Sequence, residues 1–225
     1  MTRNQQAEIE WRGGTVPVST RFEDPYYSME NGLAETRHVF LAGNGLPARF
    51  RSGFHIAELG FGTGLNLLVT LLAWRESGQD GALRFTSFEA FPMRTKDMQR
   101  ALGAFPDLAP LAAPLIAAWQ AGARRFDLGD LCVEILIGDA RDTLPDWPCQ
   151  ADAWFLDGFS PGRNPELWHP ELMRQVARHT APGGTFATYT AAGRVRRALE
   201  TAGFAVERRS GYGRKRHMSV GKLNS

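Results

Sequence analysis

Cysteine is scarce in this chain: Cys132 and Cys149 are the only two in 225 residues. Their spacing matches neither a zinc knuckle nor a CxxC redox pair, which excludes a disulfide scaffold and thiol-exchange chemistry. Both are expected as reduced, partly buried thiols. Long apolar runs are missing as well. The longest, Leu65 to Trp74, covers ten residues and is interrupted by Asn66 and Thr70, too short and too polar to cross a bilayer. Met1 to Gly14 is polar and has no apolar core of the kind a secretory signal needs. These absences imply a cytoplasmic protein with no membrane partner. The histidines, at positions 38, 55, 169, 179 and 217, form no HExxH or other metal spacing, so no metal is expected. There is no GxSxG elbow and no Walker loop, which argues against hydrolysis and phosphoryl transfer. No repeat or low-complexity tract divides the chain.

What is present is an ordinary globular composition, 43% hydrophobic and 22% charged, enough for one large domain with its own core. The net charge of +2 conceals a split. Residues 1–160 carry 14 Lys+Arg against 20 Asp+Glu, a balance of −6, and residues 161–225 carry 12 against 4, a balance of +8. A basic end of this kind suits nucleic acid, and it equally suits a set of solvated helix faces. From residue 54 short strands alternate with helices. Strands are expected at 55–59, 83–89, 124–128, 131–137, 153–156, 185–190, 204–208 and 217–221, with helices at 65–76, 94–103, 166–179 and 195–201. This alternation defines an α/β fold with a parallel or mixed sheet and helices on both faces. Ligands on such sheets sit at the carboxyl ends of the strands, so function is sought in the loops that follow them.

The sharpest local signal is Glu58-Leu-Gly60-Phe-Gly62-Thr-Gly64-Leu-Asn66, between the first core strand and its helix. Glycines there permit positive φ and let a ligand approach the backbone. A dinucleotide fingerprint needs a small residue where this chain has Leu65, which disfavours a nicotinamide site. The G-x-G-x-G spacing, with an acid two residues before it, resembles motif I of class I S-adenosylmethionine-dependent methyltransferases. That resemblance implies S-adenosylmethionine as the methyl donor, held by Glu58, Gly60, Gly62, Gly64 and Asn66. Glu89, ending the next strand, is placed to accept hydrogen bonds from both ribose hydroxyls, or to stand as a surface carboxylate capping the strand. Asp139, followed by Ala140, suits both the adenine amino group and the start of a helix, and the two roles are compatible.

A second signal is Ala153-Trp-Phe-Leu-Asp157-Gly158-Phe159-Ser160-Pro161, an apolar strand ending on a carboxylate. It loosely resembles the Asp/Asn-Pro-Pro-aromatic loop of amine methyltransferases, with Gly158 in place of the first proline and Phe159 as the ring. Methyl transfer from a sulfonium is an in-line displacement, so the nucleophile must be a neutral amine whose lone pair faces the methyl carbon. Asp157 is read as the catalytic group that orients the amine, rather than as a simple proton abstractor. Phe159 is read as lying against the methylsulfonium through a cation–π contact. The alternatives are a strand-end cap and a core ring.

A longer set of motifs carries a closer match. Asp157-Gly-Phe-Ser-Pro161 is followed by Asn164-Pro165 and Trp168, Pro182-Gly-Gly-Thr-Phe-Ala-Thr188, Val195-Arg-Arg-Ala-Leu199, Ala202-Gly-Phe204 and Gly211-Tyr-Gly-Arg-Lys-Arg216. Ahead of them stand Thr15-Val-Pro-Val-Ser19, Phe22-Glu-Asp24 and Asn31-Gly-Leu-Ala-Glu35-Thr-Arg37-His-Val-Phe-Leu41. Taken in order, over about residues 8–223, they resemble the methyltransferase domain of the MnmC family, bacterial tRNA wobble-uridine modification enzymes. The resemblance implies a Rossmann-like methyltransferase with a mostly parallel seven-stranded sheet. One domain spans 1–225, with 1–53 an N-terminal extension and 54–225 the core. It also implies N-methylation of the 5-aminomethyl group of (2-thio)uridine at the wobble position, with the tRNA anticodon stem-loop as partner. The flavin-dependent domain of the fused family members finds no room in this chain, so FAD is not expected and separate enzymes would supply the aminomethyluridine. Two positions depart from the pattern: Arg194 replaces an apolar or aromatic residue, and His38 replaces tyrosine.

The segment 22–41 has a helical pattern and suits a lid over the cofactor, or an ordinary packing helix. As a lid it brings Asn31, Glu35 and Arg37 near the methionine portion of the donor or the incoming amine. Arg194, Arg196, Arg197, Arg208, Arg209, Arg214, Lys215 and Arg216 are candidates for phosphate contacts. Three rival readings remain: a methyltransferase of a small-molecule amine, a nicotinamide-dependent dehydrogenase, and a non-catalytic RNA-binding subunit.

Overall fold

The computed structural model describes residues 6–28 and 31–224. It opens with a small antiparallel sheet, β1 (Ile9–Arg12), β2 (Val16–Ser19) and β3 (Asp24–Pro25). The helical pattern read across 22–41 therefore holds only in its second half. There, α1 (Gly32–Thr36) runs on through a π-helical turn, Arg37–Leu41, and a 3₁₀ turn, Ala42–Asn44. The first half is extended because Pro25 disfavours helical backbone at Asp24, and Tyr26 N–H donates to Pro17 O at 3.0 Å.

The remainder follows the α/β order: β4 (His55–Leu59), α2 (Leu65–Ser77), β5 (Leu83–Glu89), α3 (Thr95–Leu102), α4 (Ala109–Gln120), β6 (Arg125–Asp127), β7 (Leu131–Ile137) and α5 (Ala140–Thr143). Then come β8 (Ala151–Leu156), α6 (Pro170–Arg178), β9 (Thr180–Thr188), α7 (Gly193–Thr201), β10 (Phe204–Ser210) and β11 (His217–Leu223). The main sheet has the order β10-β11-β9-β8-β4-β5-β7-β6, eight strands among the described residues, which matches the strands read segment by segment and exceeds by one the seven that the family resemblance implies. The three-residue β6, within the strand expected at 124–128, pairs antiparallel with β7 at the edge. The pairs β4–β5, β4–β8, β5–β7 and β8–β9 are parallel, while β11 lies antiparallel between β9 and β10.

Both faces of the sheet are covered. On β8, Ala153 and Phe155 join the core beneath α2, α3 and α4, while Trp154 and Leu156 join the core beneath α5, α6 and α7. This period-two division of the apolar run Ala153–Leu156 is what a two-sided parallel sheet requires. Each large side chain so buried contributes roughly 1.5–3 kcal/mol.

Three departures from the sequence reading have local causes. No element was expected at α4, which contains Pro110 and Pro114. Pro110 sits in the first turn, where its missing N–H costs nothing, and burial of Ala112, Leu115 and Trp119 holds the helix across Pro114. The helix expected at 166–179 is split into a 3₁₀ turn, Pro165–Trp168, and α6, because Pro170 holds His169 extended (ψ 140°). Strand β9 starts at Thr180 instead of 185, and a bulge in its pairing with β8 absorbs Pro182-Gly183-Gly184. Both cysteines are free thiols; Cys149 is half-buried as expected, but Cys132 points outward from β7 and is exposed. Among the described residues no single helix is long and apolar enough to cross a membrane.

Candidate active site

Strand β4 has β5 on one side and β8 on the other; the chain runs from β4 to β5 and from β8 to β9 in opposite directions, which opens a crevice at the carboxyl ends of β4 and β8. A cavity of about 680 Å³ lies there, within the size range of small-molecule sites. Its floor is formed by the loops after β4 (Gly60–Thr63), β5 (Phe88–Phe91), β7 (Asp139, Ala140) and β8 (Asp157–Ser160). Its roof comes from the two ends of the chain: Phe22, Asp24–Tyr27, Glu35, Thr36 and Phe40 from the front, and Tyr212, Arg214 and Lys215 from the loop between β10 and β11.

The floor is a network of buried carboxyl groups joined through one amide. Asn66, in the first turn of α2, donates through Nδ2 to Glu58 Oε1 at 2.9 Å and to Asp157 Oδ2 at 2.8 Å. Its Oδ1 accepts from Thr36 Oγ1 at 2.8 Å, which ties the roof helix α1 to the floor. Asp157 Oδ1 also accepts from Gly158 N–H at 2.7 Å. Burial pushes the Asp157 carboxyl up to about 6 despite those two donors, with Glu35 raising it further and Lys215 pulling it down. Glu58 is fully buried, accepts from Ser87 Oγ at 2.6 Å, and is held by burial well above the usual carboxylate range. Glu89 accepts from Gly62 N–H at 2.8 Å and from Phe91 N–H at 2.7 Å; burial raises it, and these bonds oppose the rise.

The reactive loop after β8 is clamped from several directions. Asp24 Oδ2 accepts from Ser160 N–H at 2.7 Å, and Phe22 stacks on Phe159 with ring centroids 4.7 Å apart. Tyr26 meets the Phe159 ring edge-on at 5.0 Å. Trp168 Nε1–H donates to Phe159 O at 2.9 Å, Tyr189 O–H to Gly158 O at 2.9 Å, and Arg194 to Pro161 O. Gly158 has φ +120° and a Cβ there would lie 2.3 Å from Leu167, so proline, fixed near −65°, cannot occupy this position. The departure from the proline-bearing loop is thus a backbone requirement. Gly60, at φ +86°, packs against Gly158, bringing the two loops together.

The sequence-derived residues divide sharply. Gly60, Gly62, Asn66, Glu89, Asp139, Ala140, Asp157, Phe159, Glu35, Arg214 and Lys215 all line the cavity. Glu58 and Gly64 do not: Glu58 lies beneath the loop as a partner of Asn66, and Gly64 precedes α2 behind the wall. Asp139 caps α5 through a 2.9 Å bond from Arg141 N–H and is gripped by the Arg141 guanidinium, which holds it below the usual range. Asn31 is the N-cap of α1, accepting from Ala34 N–H at 2.9 Å, and does not reach the cavity. Arg37 turns away from it to pair with Glu76 of α2 at 3.3 Å. Arg196 and Arg197 lie on α7, also off the cavity wall, and Arg216 is exposed beside Lys215. His38 bonds Ser210 O at 3.0 Å, seating the β10–β11 loop against the front segment. Sequence reasoning missed Asp24, Tyr26, Thr36 and Tyr189; Asp24 and Thr36 fall within the motifs Phe22-Glu-Asp24 and Asn31–Leu41, but no spacing marked their roles.

A Rossmann-like sheet, a glycine loop at the carboxyl end of its central strand and buried acids on the next strands define the methyltransferase class of α/β proteins. A family model described as S-adenosyl-L-methionine-dependent methyltransferase matches residues 106–224, and the chain belongs to that family. It is 44% identical to the tRNA 5-methylaminomethyl-2-thiouridine biosynthesis bifunctional protein MnmC of Aeromonas hydrophila, over 98% of this chain and 36% of that protein. The protein of the same name from Ectopseudomonas mendocina is 45% identical over 100% of this chain and 36% of its own length. The chain thus spans 36% of the length of these relatives. Among solved structures, MnmC2 from Aquifex aeolicus superposes with a TM-score of 0.75 at 26% identity, covering 98% of this chain and 72% of that one. A methyltransferase from Pyrococcus furiosus shares the fold, with a TM-score of 0.53 at 12% identity over 97% of this chain and 90% of that one.

Proposed function

We propose that the protein transfers a methyl group from S-adenosylmethionine to the primary amine of 5-aminomethyl-(2-thio)uridine at the wobble position of tRNA, giving the 5-methylaminomethyl nucleoside. The residues present fit the donor. Gly60 and Gly62 leave open backbone beside the cavity, where a side chain at Gly60 would press on Gly158. The two oxygens of Glu89 keep lone pairs for ribose hydroxyls after accepting from Gly62 and Phe91. Asp139 and Ala140 stand at the adenine end of this arrangement, and Phe159 offers a ring to a cationic group. When bound, S-adenosylmethionine supplies an electrophilic methyl group on a sulfonium.

The observation that carries this reading is Asp157, held by Asn66 and Gly158 on the wall of the cavity beside the glycine loop. An aminomethyl group arrives as an ammonium and must lose a proton before its lone pair can attack. With its carboxyl pushed up to about 6, Asp157 is ionised at neutral pH yet a better proton acceptor than an ordinary aspartate. In this reading it accepts a hydrogen bond from the ammonium and takes the proton onto a carboxylate oxygen, freeing the amine lone pair. The raised carboxyl supports adding this proton-accepting share to the orienting role.

The substrate's polyanionic backbone would lie along the basic end of the chain, with Arg196, Arg197, Arg208, Arg209, Arg214 and Arg216 as phosphate ligands and the wobble base unstacked into the cavity. The relatives are tRNA 5-methylaminomethyl-2-thiouridine biosynthesis proteins, which supports this choice of substrate. The test is methyl transfer from labelled donor to tRNA bearing 5-aminomethyl-2-thiouridine, read by nucleoside mass spectrometry. Formation of 5-methylaminomethyl-2-thiouridine is expected; transfer only to free small-molecule amines would replace the tRNA reading with a small-molecule one.

A further inference from the structure

Lys215 is one of only three lysines in the chain, against 23 arginines, and it sits between Arg214 and Arg216. Its side chain turns into the cavity. Nζ lies 2.9 Å from Glu35 Oε1 and 3.9 Å from the centroid of the Tyr189 ring. Tyr189 in turn donates to the carbonyl of Gly158, next to Asp157. A carboxylate and an aromatic face brought together around one ammonium are the recognition chemistry of a primary amine. That is the group the reaction methylates.

We propose that Glu35 and Tyr189 form a seat for the substrate's primary ammonium, and that Lys215 occupies it as an internal stand-in until a polyanionic substrate draws the 211–216 loop outward. The proposal rests on the reading that the substrate amine is carried by tRNA. The Lys215 side chain is 45% exposed while Glu35 is only 11% exposed, so the occupant is screened and exchangeable whereas the seat is fixed. Glu35 is carried by α1, whose Thr36 is bonded to Asn66 on the floor, so the seat keeps its place relative to Asp157 when the lysine leaves. Phosphates along the neighbouring arginines supply the competing attraction for Nζ. Free amines bring no such anion and must compete with the lysine, which makes Lys215 a specificity-determining residue.

The experiment titrates 5-aminomethyluridine nucleoside into the protein by calorimetry, with S-adenosylhomocysteine present, for wild type, Lys215→Met and the double variant Lys215→Met/Glu35→Gln. Methionine keeps the apolar stem and removes the charge, and melting curves confirm that each variant folds. The nucleoside is expected to bind Lys215→Met about tenfold more tightly than wild type, and the double variant is expected to lose that gain. Methyl transfer to the nucleoside should rise in parallel, while transfer to intact aminomethyl tRNA should not. Equal nucleoside affinity in wild type and Lys215→Met, or a gain that survives in the double variant, would overturn the seat. Absence of wild-type transfer to aminomethyl tRNA would instead remove the functional reading, with the nucleoside titration still deciding the seat.

Discussion

The floor and the roof of the cavity are built on different principles. The floor is locked: Glu58, Asn66 and Glu89 are all under 10% exposed, and every side-chain oxygen and nitrogen of the three has a hydrogen-bond partner. The roof comes from the two chain ends: α1 is bonded to the floor through Thr36, whereas the 211–216 loop and the Glu23 turn are held by more exposed ties, Lys215 to Glu35 and Arg163 to Glu23. Exposed pairs of that kind contribute about 0–1 kcal/mol each, whereas leaving one buried floor group unpaired costs about 1–3 kcal/mol. The difference points to a division of labour: the floor and the α1 half of the roof hold fixed geometry, while the 211–216 loop is fastened weakly, which suits the proposed large substrate.

The sharpest way to break the comparison is Asp157→Ala. It should lower kcat by about 10²- to 10⁴-fold while leaving donor affinity nearly unchanged, as single-turnover rates and donor titration would reveal. The wild-type kcat/KM should fall as pH drops below about 6, because protonated Asp157 can no longer accept the ammonium proton; a flat profile down to pH 5 would remove it from proton transfer. Next in size is Asn66→Ala, which frees Asp157, Glu58 and Thr36 together and should cost about 10- to 10²-fold in kcat through lost orientation.

Roof substitutions should do less to the chemical step. Asp24→Ala releases Ser160 N–H and should raise KM by several-fold with a smaller change in kcat; an equal loss in both would move Asp24 into the floor's role. Replacing Arg208, Arg214 and Arg216 with alanine should weaken tRNA binding and flatten its salt dependence by about one slope unit per lost phosphate contact. An unchanged slope would return these arginines to ordinary solvated surface. The smallest effect is expected for Glu58→Gln. Burial already favours the uncharged carboxyl, so the amide should leave the melting temperature within a few degrees of wild type.

The same division explains what could be read ahead of the structure. Strands β4, β5 and β7 and their acids were legible because buried parallel strands are continuous apolar runs and their ends carry isolated glycines and carboxylates. The role of Glu58 was misassigned, since a motif places an acid near a loop without saying which side of the wall it occupies. The roof was mostly illegible. Asp24 meets Ser160, and Glu35 meets Lys215, across 136 and 180 residues of chain, and no local periodicity encodes such pairings. Arg37 and Asn31, expected near the donor or the amine because they lie in the lid segment, are claimed instead by Glu76 and by the helix cap.

The central claim is that this cavity methylates a primary amine on tRNA. The most direct measurement compares two tRNAs that differ only at the wobble uridine, one carrying the 5-aminomethyl group and one unmodified, each incubated with protein and labelled donor and digested to nucleosides. The account predicts label in 5-methylaminomethyluridine, or its 2-thio form, from the first tRNA and none from the second. Label in any other nucleoside, or equal labelling of both tRNAs, would contradict it.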